Sequence, residues 1–508
     1  VTARATAGVD DLQPSRQAPG RRTATLALAA AAMAGLLAAL AGPVIALLAA
    51  ALGLLAFTAW RPVTATYVYL GTLPFIAGIQ RGTLIPLVRP NEALLVLLIA
   101  GACAGGYARF LTGRPLALRL HPLDLPLATF AVLATLWPIV SLMLRGATPT
   151  GTELVAVFPM VKLVGLILLV RATVRTASQL RRCVRLVIWT AGALAGIAVL
   201  QTLGVPPVLS FLGTWWGIDP GLPESSARGS ATLGHSIATG DYIVIGLGLL
   251  ISAAVRGLIG RKEGLLLGFV LATGVLASGQ FSTWLAALVA GGIVLHRIPQ
   301  ARRRATRVVP VAALALVVGA PAVLSRLQGI GGELGVPQSW LVRWDNVTYL
   351  YLPPLFEDRG FVIGVSPDSV LTAPDIWRDV IWIESGYLQF LWMGGLPLLA
   401  GFVWLSVAVL RHARALSRRP DALGACGSCL EIAWGVLIVV SAFDPHIFLR
   451  GTGDILFALV ALTTGRLLDD GRVRGPTTPR AGSGNYSSHD HRTRGSLLAA
   501  GSSPVTER

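Results

Sequence analysis

The stretch "ESGYLQFLWMGGLPLLAGFVWLSVAVLRHAR", residues 384–414, decides how the whole chain is read. No charged residue lies between Glu384 and Arg411. The apolar run over 386–410 is long enough for a helix that crosses a bilayer core, which takes roughly 20 residues. A lone acid opens it, and Arg411, Arg414, Arg418 and Arg419 close it. Basic residues gather on the cytoplasmic side of membrane helices. The run therefore reads as a span with Glu384 at its outer mouth.

The rest of the chain repeats that pattern. Hydrophobic residues make up 54% of the 508 and charged ones 13%, a balance that excludes a soluble domain. The net charge of +17 does not point to nucleic acid, because the basic residues sit in short clusters between apolar runs. Fourteen runs read as spans, from 24–41 to 451–467, with 386–410 and 430–448 among the last three. Gly42 and Pro43 break the first long run into a hairpin, and Ser278, Gly279 and Gln280 alone join 264–277 to 281–296. Twelve is the count if a hairpin does not cross. With the N-terminus inside, 32 of the 42 basic residues fall on the cytoplasmic side, nine fall outside, and Lys162 lies within a span. Both termini are thus expected in the cytoplasm. Only Lys162 and Lys262 of the basic residues are lysine, which with abundant Ala, Gly and Arg reads as a GC-rich bacterial genome.

The expected fold is all-α, a polytopic transmembrane helical bundle in the bacterial cytoplasmic membrane. Residues 1–22 form a cytoplasmic segment without a cleavable signal, and helices 1–11 occupy 23–324. A large extracytoplasmic loop over 325–385 carries short interfacial helices, helices 12–14 follow over 386–467, and 468–508 is a disordered cytoplasmic tail. "CGSC" at 426–429 has redox or half-zinc spacing, but no second pair or nearby His completes a site. Those cysteines read as helix-packing residues. No phosphate-binding loop, Asp-x-Asp or His/Cys ligand set appears in the outer loops, so neither ATP hydrolysis nor a metal or other cofactor is expected.

Two outer loops, near 204–235 and 325–385, hold the candidate chemistry. Arg228 and Arg343 offer planar forks of donors suited to a diphosphate. Glu384 is the candidate general base, with Trp382 and Ile383 expected to desolvate it. His235 and Asp345 are further outer candidates. His446, next to Asp444 in "FDPHIF", is a weaker one. Lys162 is expected to pair with a helix terminus or to line a donor cavity. Each has a plainer reading: outer arginines pair with nearby acids, and an acid in the first turn of a helix complements its dipole.

Three stretches resemble the O-antigen ligase and O-antigen polymerase family of bacterial membrane glycosyltransferases. They are "RGSATLGHSIATGDYIVIGL" from Arg228, "VRWDN" at 342–346 followed by "GFVIGVSP" at 360–367, and "ESGYLQFLWMGGLPLLAG" at 384–401. Ser366 stands where that family usually has a second Gly, and Glu384-Ser385 replaces the His-Asn of ligases. "ASGQFSTWL" at 277–285 lacks a Ser-Arg that often opens the corresponding helix. The resemblance implies metal-independent, inverting transfer of a glycan from a polyprenyl-diphosphate carrier to a hydroxyl of a glycan or lipid acceptor. Arg228 and Arg343 would hold the diphosphate and Glu384 would take the proton. The implied partners are that donor, the acceptor and membrane lipids. Rival readings are a transporter or flippase of lipid-linked sugars, against which sparse intramembrane charge counts, and a non-catalytic scaffold of envelope assembly.

Overall fold

The computed structural model describes residues 42–82, 88–113, 120–219, 227–327, 338–372 and 380–465, with Gly35. Expectations for 1–22, for the 24–41 span and for the 468–508 tail lie outside the described residues. The rest is a helical bundle. Among the described residues, eight helices are long and apolar enough to cross a membrane, and four shorter apolar helices accompany them. The chain is a membrane-embedded helical protein.

In chain order the helices are α1 (Pro43–Trp60), α2 (Val63–Ile76), α3 (Pro90–Leu111), α4 (Asp124–Leu144), α5 (Gly151–Thr173) and α6 (Ala177–Thr202). A short α7 (Pro206–Trp216) follows, then α8 (Ser236–Val255), α9 (Arg261–Ala277), α10 (Phe281–Arg297) and α11 (Pro299–Leu327). The core forms around α8 and α16 (Ala422–Val440), whose apolar windows are 83% and 78% buried against 17% in α11. Polar capping sets several boundaries. Thr150 and Thr176 each form a capping box that opens α5 and α6. Asp421 accepts from the Gly424 N–H at 3.0 Å and opens α16 there. That cap is why the helix starts eight residues before the expected 430, with free Cys426 and Cys429 buried inside it as packing residues.

The segment after α11 contains α12 (Gln338–Asn346), a π-helical turn (Val347–Tyr351), α13 (Leu352–Phe356) and α14 (Gly360–Ile363). A two-stranded antiparallel ribbon then pairs β1 (Val370–Thr372) with β2 (Val380–Trp382), Val370 facing Trp382. Such a ribbon is not expected from the sequence. A small apolar cluster of Tyr351, Leu355, Ile381, Ile383, Leu388 and Trp392 fastens this segment to α15 (Gly386–Ser417). The Tyr351 hydroxyl and the Trp392 indole anchor it further, donating to Ile381 O and Asp368 O.

The expected single span at 386–410 is instead broken. Gly395 sits at φ 63°, ψ −157°, inside the 32-residue α15. A Cβ there would lie 2.3 Å from Val362 O, so only glycine lets α14 approach so closely. The break frees carbonyls, and the surrounding protein takes them up. Val365 N–H donates to Trp392 O at 2.6 Å and Trp137 Nε1 to Gly394 O at 3.0 Å. The Arg145 guanidinium holds Val365 O in turn. α17 (Thr452–Thr464) closes the bundle and is buried along its whole length.

Candidate functional site

At the end of the bundle where α8, α15 and α17 begin, side chains from distant segments meet. Arg343 of α12 pairs with Glu384, which stands between β2 and α15, at 2.8 Å from Nε to Oε2. Arg343 also reaches Asp444 Oδ1 at 3.4 Å and donates to Phe443 O at 3.3 Å. Both members of the first pair are about a quarter exposed, whereas Asp444 is 5% exposed. Burial pushes the Asp444 carboxyl up, and Arg343 and then His446 oppose that shift. The desolvating wall expected for Glu384 is not what the structure has. Trp382 is half exposed, Ile383 packs into the cluster around Tyr351, and a guanidinium occupies the place beside the carboxylate.

A second group lies beside Asp444. His446 Nδ1 meets Asp241 Oδ2 at 2.7 Å, and the Thr452 hydroxyl donates to the same oxygen at 3.2 Å. The sequence suggests Asp444 as the partner of His446; the side chain pairs with Asp241 instead. Burial alone would lower the His446 imidazole, but the Asp241 carboxylate, Asp444 and the Val440 backbone together outweigh it and raise the pKa. Its Nε2 is buried without a partner. His446, Asp241 and Thr452 line a cavity of about 20 Å³ closed by Val244, Val440 and Leu456, room for about one water.

Arg228 and His235 flank the entry to α8. Gln201 of α6 holds the segment between them, donating to Arg228 O at 3.3 Å and accepting from Ala231 N–H at 2.8 Å. Thr239 and Thr232 pin it from α8 and from the 3-10 turn itself, donating to Ser230 O at 2.5 Å and Pro74 O at 2.7 Å. Held this way, Ala231 keeps a left-handed φ of 44°, a conformation that costs a non-glycine residue energy. His235 is exposed, with Arg450, Asp241, His446 and Arg228 within electrostatic reach. Desolvation by the surrounding protein and then Arg450 push its pKa down.

The remaining candidates stand apart. Asp345 is exposed and joins none of these pairs among the described residues. Lys162 of α5 pairs with Asp454 in the first turn of α17 at 2.8 Å, and the Tyr69 hydroxyl of α2 donates to the other Asp454 oxygen at 2.6 Å. Lys162 thus pairs at a helix terminus, one of the two roles expected of it.

Sequence reasoning treated Lys162 as nearly the sole charge within the spans. Asp241, Glu431 and Asp454 are also buried in helices, and Glu431 pairs with Arg297 and Arg414 toward the opposite end of α16. Each is an acid inside an apolar run, as in "TGDYIVIGL" and "GTGDILF". In comparisons with known proteins, no family model and no curated protein matches the chain.

Proposed function

We propose that the chain is an integral membrane glycosyltransferase, with both termini cytoplasmic and this site at the outer face of a bacterial cytoplasmic membrane. It polymerises or ligates cell-surface polysaccharide, moving glycan from a polyprenyl-diphosphate carrier to an acceptor hydroxyl. The observation that carries this reading is the Arg343–Glu384 pair, formed across 41 positions of chain, beside Asp444 and His446 and at the same end as Arg228 and His235.

In the proposed reaction the acceptor oxygen attacks the anomeric carbon and the bond to the diphosphate oxygen breaks. The diphosphate leaves on its lipid, and the acceptor proton passes to Glu384. Arg228 and Arg343 hold the departing negative charge by charge-assisted hydrogen bonds, with no metal. Arg343 serves both groups, because a diphosphate that draws its guanidinium away from Glu384 releases the carboxylate to act as the base.

The transporter reading gains one specific support. Asp241, Glu431 and the Lys162–Asp454 pair are buried in helices, and α15 is broken at Gly395; buried charge and interrupted helices recur in transporters. The two readings separate in proteoliposomes given purified donor. New glycosidic bonds support transfer, whereas donor crossing without them supports transport. The first test is surface-glycan profiling of a deletion strain complemented with wild type or Glu384→Gln, with protein level checked by immunoblot. Accumulated lipid-linked units and missing long glycan are expected; normal glycan with the variant present would overturn the role of Glu384.

A further inference from the structure

Three more arginines gather at this end of the bundle. Arg81 follows α2, Arg89 immediately precedes α3, and Arg450 stands just before α17. Arg81 Nη2 donates to both oxygens of Glu92, at 3.1 and 3.3 Å, and the Arg89 backbone N–H donates to Glu92 Oε2 at 3.1 Å. Arg450 Nη1 donates to Gly78 O at 3.0 Å. The three guanidinium groups act on one another electrostatically. Burial, then Arg89 and Arg81, push Arg450 down to about 10; burial, then Arg81, lower Arg89.

The acids in reach are already engaged. Glu92 is taken by Arg81, and Asp454 by Lys162 and Tyr69. Among the described residues no acid forms an ion pair with Arg89 or Arg450, so two positive charges are in excess. The Nε groups of Arg81 and Arg89 are shut off from solvent without a hydrogen-bond partner. Unpaired buried donors beside like charges are rare in native structures, and this combination points to an absent anion. The N-terminus of the 22-residue α3 adds its positive dipole end to the same place.

We propose that Arg81, Arg89 and Arg450 form a second oxyanion site, distinct from Arg228 and Arg343, for a phosphate-bearing group. An excess of two positive charges matches the roughly −1.5 to −2 of a phosphate monoester. Donors arriving from two chain segments, the connection from α2 to α3 and the start of α17, suit a tetrahedral oxyanion better than a planar carboxylate, which one guanidinium fork satisfies. The group is either the headgroup of a lipid or a free phosphate or diphosphate. The proposal does not depend on glycosyl transfer.

The test uses the full chain in phosphatidylcholine nanodiscs, as wild type, R89Q, R450Q and R228Q. In one arm inorganic diphosphate is titrated calorimetrically. In the other the nanodiscs contain a minor fraction of phosphatidic acid, and lipid retained through delipidation is counted by mass spectrometry. Binding that weakens roughly tenfold or more in R89Q and R450Q, but persists in R228Q, is expected. Its appearance in the first arm identifies a free anion, and in the second arm alone a lipid headgroup. Because R450Q also removes the bond to Gly78, R89Q decides if R450Q does not fold. Binding in R89Q equal to wild type in both arms, or lost only in R228Q, overturns the site. Neither result bears on whether glycan is transferred.

Discussion

The Arg343–Glu384 and Lys162–Asp454 pairs have the same 2.8 Å separation and opposite physical settings. Arg343 and Glu384 come from a segment of short elements and are each about a quarter exposed. Lys162 and Asp454 come from the long α5 and the shorter apolar α17, are 10% and 2% exposed, and gain Tyr69 as a third member through Asp454. Water competes for the first pair, so exchanging one partner costs little. Nothing competes for the second, so losing one partner strands a charge. The first pair suits adjustable chemistry, and the second works as a brace across α2, α5 and α17.

The largest expected effect sharpens that contrast on the side of activity. Glu384→Gln should cut glycan elongation by about 10²- to 10⁴-fold, the usual range for a positioned general base, while changing stability by only about 0–1 kcal/mol, as for part-exposed ion pairs. Elongation in membranes and thermal unfolding in detergent check the two halves. On the other side, Asp454→Asn should destabilise by about 3–5 kcal/mol by leaving the Lys162 charge buried and unpaired. Asp454→Asn combined with Lys162→Met should recover most of that loss. Additive losses in the double variant would break the comparison, because they would mean the two residues do not act as a pair.

Smaller effects follow. Gly395→Ala should cost about 1–3 kcal/mol from backbone strain alone, and more if α14 cannot retreat from the added methyl, as unfolding midpoints would record. The smallest effect concerns pH. The folded-state pKa of His446 is raised, so its contribution is complete below the unfolded value near 6.5 and is lost as pH rises through the folded value. Stability should therefore fall with rising pH above about 6.5, by no more than about 1.4 kcal/mol per unit for one proton. His446→Gln should flatten that slope, and an unchanged slope would show that Asp241 does not hold the proton there.

How much was legible in advance follows from which interactions are local. Apolar runs and helix caps are written in consecutive residues, so thirteen of the fourteen expected apolar runs overlap an observed helix and the first lies outside the described residues, although only eight described helices are long and apolar enough to cross a membrane. Arg343, Glu384 and His446 stood out because they are charged or polar residues beside long apolar runs. What they touch was not legible. Asp241 lies 205 positions from His446, and nothing local in "FDPHIF" distinguishes it from Asp444 as a partner. The Gly395 break is not legible because "MGGLP" is compatible with a continuous apolar helix; the break depends on Val362 of α14, 33 positions earlier, arriving against it.

That break also sets the unit by which this protein can be recombined. The Trp392 and Gly394 carbonyls are satisfied by Val365, Ser366 and Trp137, and in an apolar surround an unsatisfied carbonyl is too costly to leave. A chimera that swaps only the loop between α11 and α15 would orphan those groups, and one that swaps only α15 would leave the loop without its seat. Residues 360–396 therefore travel together, with Trp137 of α4 and the Tyr351 and Leu355 side chains that also hold them, in any exchange that keeps this fold.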